Sequence, residues 1–157
     1  MFICVSIVPS GTKCNILRTV IIGIDEVGRG AWAGPMVVGA VAFKSNHFYK
    51  DSKQLSAVAR DRFAEEIDQI ADFCQLGWVW PEEIDQLGLT RATTLAIERA
   101  ISGAPVDAQI LIDGTVNFLP GRENVTTEPK ADANHPFVAA ASIVAKVARD
   151  RYMSDIA

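Results

Sequence analysis

The order of residues predicts a single α/β domain. Short β-branched apolar runs, Val20–Ile24, Met36–Phe43 and Ala108–Ile112, are bounded by turn formers and are too short for helices. Longer segments between and after them, Ala57–Asp72, Leu89–Ile101 and Phe137–Asp155, carry apolar residues at helical spacing. Two of the apolar runs end in carboxylates, Asp25-Glu26 and Asp113, which is how an α/β sheet assembles a site from distant sequence.

The bulk composition agrees with one packed domain. A chain of 157 residues with 49% apolar residues supplies its own core, and 22% charged residues argue against disorder. A net charge of −4 gives no global attraction for nucleic acid, so a polyanionic partner has to be held by a local basic surface and by metal. Cys4, Cys14 and Cys74 are odd in number and in no metal-ligand spacing, which argues against zinc and suits a reducing cytoplasm. The apolar start Met1–Val8 lacks a basic flank and is stopped by Pro9-Ser10-Gly11, short of membrane-spanning length. Residues 1–19 are therefore expected to be an N-terminal extension, residues 20–157 the domain, and a membrane is not an expected partner.

Val20–Ile24 reads as a buried strand with Asp25 and Glu26 at its end. Neighbouring side chains on a strand point to opposite faces, so adjacent acids are expected to share a site only where the strand stops and the backbone turns. Gly28 and Gly30 permit that turn. Two anions held together need a balancing cation, for which a divalent metal is the simplest choice; the alternative is a solvated acidic loop. Gly28, Gly30 and Ala33 also fit a loose dinucleotide-binding pattern, but that pattern needs a helix after the loop. Here Gly34-Pro35 leads into Met36–Phe43, a second strand antiparallel to the first. Trp32 is expected to pack as a lid or core residue, with stacking on a base as the alternative.

Farther on, Ser56 is placed to cap the helix Ala57–Asp72, and Ser52 and Lys53 before it are either phosphate contacts or solvated loop residues. Phe73–Trp80 reads as a third strand, and Pro81-Glu82-Glu83 opens a short helix with its acids at the favourable end. Helix Leu89–Ile101 stops at Ser102-Gly103 and Pro105, and the strand Ala108–Ile112 ends in Asp113-Gly114. Asn117–Glu123 is read as a loop and Asn124–Thr127 as an edge strand. Lys130–Pro136 reads as a polar turn launching the long helix, with Asp132 as a cap or first-turn acid and His135 as structural. Within that helix Val138, Ala141, Ala145, Ala148 and Tyr152 share one side. Ser142, Lys146, Arg149, Asp150 and Met153 share another, from which Lys146 and Arg149 reach phosphates or simply pair with Asp150.

Four ordered blocks carry a family resemblance: Gly23-Ile24-Asp25-Glu26-Val27-Gly28-Arg29-Gly30, Asp51–Ser56, Ile112-Asp113-Gly114, and Lys130-Ala131-Asp132 with Ala139–Arg151. Together they resemble ribonuclease HII. The resemblance implies a ribonuclease-H-like fold with a mixed central sheet flanked by helices. It further implies hydrolysis of the RNA strand of RNA/DNA hybrids, and cutting at ribonucleotides embedded in DNA, by a monomer using Mg²⁺ or Mn²⁺ in the cytoplasm. Carried over by motif, the catalytic and metal-binding acids are Asp25, Glu26, Asp113 and Asp132, while Asp150 falls outside the set. Gly28, Arg29 and Gly30 correspond to the loop that recognises the ribonucleotide 2′-hydroxyl; Ser52, Lys53, Lys146 and Arg149 complete the expected substrate contacts.

Family members usually continue past this helix into a segment whose tyrosine packs on the substrate, and that segment is expected to be lacking here, with Tyr152 no counterpart. Two other functions compete with cleavage: binding of substrate or metal without turnover, and a nuclease or phosphotransferase of the same fold that does not select a 2′-hydroxyl.

Overall fold

A computed structural model describes residues 20–44 and 55–157. The extension 1–19 and the candidate phosphate contacts Ser52 and Lys53 lie outside the described residues. The elements run β1 (Ile21–Val27), β2 (Met36–Ala42), α1 (Ala57–Ile70), β3 (Phe73–Val79), α2 (Pro81–Leu87), α3 (Leu89–Ala100), β4 (Gln109–Asp113), β5 (Val125–Glu128), α4 (Ala131–Asn134) and α5 (Pro136–Asp155). The sheet order is β3-β2-β1-β4-β5. The β1–β2 and β2–β3 pairs are antiparallel, and β1–β4 and β4–β5 are parallel, giving the expected mixed sheet between helices.

Alternation along the strands divides the core into two layers. Ile22 and Ile24 of β1, Met36, Val38 and Ala40 of β2, and Ile110 and Ile112 of β4 pack with Ala92, Ala96 and Ile97 of α3. On the other face, Val41 packs with Ile67 of α1 and with Ala140, Ala141, Ile143 and Val144 of α5. Small residues bring α5 down onto the sheet backbone. A Cβ on Gly23 would lie 2.6 Å from the backbone of Phe137 and Val138, and one on Gly39 would run into the Ala141 carbonyl. Residues 138–145 of α5 are all buried, because the sheet covers one side and α1 packs against another, while Lys146, Arg149, Asp150 and Met153 farther along the helix stay partly exposed.

Other boundaries shift for local reasons. Helix α1 is capped by Ser56, whose Oγ accepts from the Ala59 amide at 3.3 Å, but it stops at Ile70 rather than Asp72. Asp72 is already committed to the sheet, its N–H donating to the Ala42 carbonyl at 3.0 Å and its carboxylate accepting from the Lys44 amide at 2.7 Å. Trp80 leaves β3 to become the N-cap of α2, where its amide donates to the Glu83 carboxylate at 3.0 Å. That acid does serve the helix terminus, as its position predicts, and it also pairs with Arg99 at 2.7 Å. Trp32 is fully exposed at 105%, not the lid or core residue expected. No helix among the described residues is long and apolar enough to cross a membrane.

Candidate active site

The parallel register of β1 and β4 ends at Ile24 opposite Ile112, and the next residue of each strand is an aspartate. Both Asp25 and Asp113 therefore leave adjacent strand ends on the face covered by α5. Asp132 arrives from α4, a single turn in a stretch expected to be irregular. One carboxylate oxygen from each of the three aspartates lies within 4.8 Å of the others. Asp113 also fixes the incoming segment, because its Oδ1 accepts from the Ala131 amide at 2.7 Å.

Glu26 departs from the expected geometry. Strand β1 does not stop at Asp25; it goes on pairing with β2, Asp25 opposite Gly39 and Glu26 opposite Val38, up to Val27. Only the β4 side falls away. Asp25 and Glu26 consequently keep the alternation of a strand, and the Glu26 carboxylate is not one of the three that converge. It lies 3.6 Å from the Arg29 guanidinium, which in turn sits 4.9 Å over the Phe118 ring. Both acids nonetheless line one cavity of about 330 Å³ with Asp113, Arg60, Ser142 and Lys146, because at the end of the sheet its two faces meet the same opening.

The surroundings determine the charge of this site. Burial pushes the Asp25 carboxyl up to about 7, against the Ser142 hydroxyl and the Glu26 amide, which hydrogen-bond to it, and with the charges of Asp113 and Glu26 adding to the rise. Burial also raises Glu26, while the Arg29 charge opposes the rise. Buried carboxylates that repel one another call for a cation. The donor set is all carboxylate, with no sulfur or imidazole among the three converging side chains, which fits a hard ion such as Mg²⁺ or Mn²⁺.

Around this centre the predicted substrate residues divide. Gly28 has φ +90° and opens a turn closed by the Ala31 amide on the Gly28 carbonyl at 3.2 Å. Arg149, expected to reach phosphate or to pair with Asp150, donates from its guanidinium to the carbonyls of Pro35 at 2.9 Å and Ala33 at 2.8 Å, and so braces the loop from α5. Lys146 lines the cavity and pairs with Asp150 at 2.6 Å. Tyr152 packs on Trp78 and Trp80, with ring centroids 5.7 and 5.2 Å away.

Sequence reasoning missed the role of Ser142, whose hydroxyl reaches Asp25 because Gly39, opposite Asp25, lets the Ala141 backbone touch the sheet. No local signal marks that contact, since it joins three separate elements. It also missed the partner of His135, whose Nε2 lies 2.8 Å from Glu128 Oε2. The structural role expected for His135 thus acquires a physical basis.

Comparison with known proteins places these features in a wider group. The ribonuclease HII family model matches residues 22–157. The chain is 46% identical over 135 residues to a ribonuclease HII of Thermus thermophilus, an alignment covering 85% of this chain and 66% of that protein. Among solved structures, ribonuclease H2 of Pyrococcus horikoshii superposes with a TM-score of 0.77 at 30% identity, covering 88% of this chain and 75% of that one. Bst-RNase HIII in complex with Mn²⁺ gives 0.69 at 27% identity, covering 88% and 54%. The chain spans about two thirds of the length of the Thermus relative, 66%.

Proposed function

The chain belongs to the ribonuclease HII family, and from that premise we propose that it is a metal-dependent endoribonuclease. It hydrolyses the RNA strand of RNA/DNA hybrids and cuts duplex DNA at embedded ribonucleotides. The observation that supports this most is the convergence of Asp25, Asp113 and Asp132 from two strand ends and a separate helical turn.

In this reading Asp25, Asp113 and Asp132 hold Mg²⁺ or Mn²⁺, and Glu26 contributes from the adjoining wall of the cavity. When bound, two such ions supply the Lewis acidity for in-line displacement at phosphorus, activating water and stabilising the leaving 3′-oxygen. The protein's own groups select and orient the substrate. The backbone of Gly28-Arg29-Gly30 approaches the 2′-hydroxyl, the group that separates RNA from DNA, and a glycine loop allows that approach without Cβ atoms in the way. Lys146 faces a phosphate from the cavity wall, exchanging its pairing with Asp150 for the stronger anion. Arg149 keeps the loop rigid rather than touching substrate. Ser52 and Lys53 remain proposed phosphate contacts.

The test is cleavage by this purified chain of a DNA duplex carrying one ribonucleotide, with Mg²⁺ or Mn²⁺, beside an all-DNA duplex and the Asp25→Asn variant. Cleavage confined to the ribonucleotide duplex and lost in the variant is the expected result. Equal cleavage of all-DNA would replace this reading with a nuclease that ignores the 2′-hydroxyl. Tight binding without any cut would leave a binding protein.

A further inference from the structure

We propose that Glu128 is a positioning residue for the carboxylate cluster: through Asn134 and His135 it fixes the helical turn that carries Asp132. The proposal rests on the metal-binding reading given above.

Helix α4 has four residues, Ala131–Asn134, and its N-cap Lys130, at φ +62°, makes no side-chain cap bond. A single turn has no stability of its own, since nucleation is unfavourable and there is no length over which to recover it. Its position must be imposed from outside, and the structure shows contacts at both ends. At the start, Asp113 Oδ1 accepts from the Ala131 amide at 2.7 Å. At the finish, Glu128 uses both oxygens: Oε1 accepts from Asn134 Nδ2 at 2.8 Å, and Oε2 lies 2.8 Å from His135 Nε2.

The two anchoring acids are themselves locked together. Asp113 and Glu128 are register partners in the parallel β4–β5 pair, so their side chains leave the sheet on the same face. The pair therefore forms a backbone-fixed base, and α4 with Asp132 is fastened to it at both ends. The restraint extends to the next helix. His135 ends α4 and begins α5, its carbonyl accepting from the Val138 and Ala139 amides at 3.0 Å each, and α5 carries the Ser142 that hydrogen-bonds Asp25. Glu128 is outside the group of three converging carboxylates, so its connection to that group runs through the chain it holds. Its carboxyl sits below the usual range because Asn134 and His135 both favour the anion, as a committed acceptor should.

A positioning role and a merely stabilising one predict different things for metal affinity. The experiment is Mn²⁺ binding to the full chain, read from the spin resonance of free Mn²⁺, for wild type, Glu128→Ala, Glu128→Gln and the double variant Asn134→Ala/His135→Ala. A melting curve for each protein establishes that it is folded. We expect Glu128→Ala to weaken Mn²⁺ about tenfold, as loss of outer supports does at metal sites. Glutamine should stay within about twofold of wild type, because its oxygen accepts from Asn134 and its amide still meets the His135 ring nitrogen. The double variant should lose as much as Glu128→Ala, and adding Glu128→Ala to it should cost little more.

Unchanged Mn²⁺ affinity in a folded Glu128→Ala or double variant would overturn the proposal. A glutamine variant as weak as alanine would overturn it as well, since the effect would then come from the lost charge. Failure of the wild-type chain to bind Mn²⁺ would defeat the metal reading itself, a result distinguishable from either.

Discussion

Replacing Asp25 by asparagine should stabilise the metal-free protein at alkaline pH. The Asp25 carboxyl is raised from 3.8 to about 7, chiefly by burial. The native state therefore holds this proton more tightly than the unfolded chain. Below about pH 4 both states are protonated and the site costs nothing. Between about pH 4 and 7 the unfolded carboxylate ionises while the native one, buried beside Asp113 and Glu26, keeps its proton, so stability falls, and the loss levels off above about 7 where the native group ionises as well. A shift of about three units corresponds to about 4 kcal/mol at pH 8, roughly 10 °C in melting temperature for a domain of this size. Asparagine keeps an oxygen for the Ser142 hydroxyl and the Glu26 amide but never ionises, so its stability should lose most of this slope. Glu26, also raised by burial, leaves a shallower slope of the same sign. Urea titrations of both proteins between pH 4 and 9 in a chelator measure the difference directly. Mn²⁺ should then rescue wild type and leave the variant largely unchanged. Parallel pH–stability curves, or a variant less stable than wild type at pH 8, would refute the argument.

Other substitutions test neighbouring links. Ser142→Ala removes a hydrogen bond that favours ionised Asp25, so its carboxyl should rise above about 7 and the alkaline loss of stability should deepen, measurable in the same titrations. Gly39→Ala puts a methyl group into the Ala141 backbone and should destabilise by about 3 kcal/mol or more, read from the urea midpoint, since neither backbone can yield cheaply. Ser56→Ala deletes the α1 cap and should cost about 1 kcal/mol, with Ser56→Asp close to wild type in thermal melts. Arg149→Met should leave global stability nearly unchanged yet speed hydrogen exchange at the Ala31 amide, because the loop loses its two carbonyl braces.

Much of this fold was legible because its strands announce themselves. Met36–Ala42 is β-branched or small throughout apart from its first residue and buried at every position, as befits a central strand. The approach of Asp25 and Asp113 was legible for a similar reason, both being the polar end of an apolar run. What escaped depended on where pairing stops. Residue types alone do not say that β2 accompanies β1 past Ile24 while β4 does not, and that difference decides which face Glu26 takes. Trp32 escaped because an aromatic in a short loop is ordinarily covered, whereas here the loop is braced from beneath by Arg149 and presents the ring outward. The bracing contacts of Arg149 escaped for the complementary reason: its cation is engaged by carbonyls more than a hundred residues away in sequence, partners that only the fold supplies.

The glycines at 23 and 39 have a consequence for how this chain can change over generations. Most protein cores absorb substitution because a neighbouring side chain can swing aside or swap volume with its surroundings. Between the sheet and α5, main chain rests on main chain at these positions, leaving no movable group to take up an error. The spacing of Asp25 and Ser142 is thus set as though by a casting rather than by an adjustable fitting. Descendants are free to vary the helix where it meets α1, but beneath Ala141 compensation by a second mutation has nowhere to act.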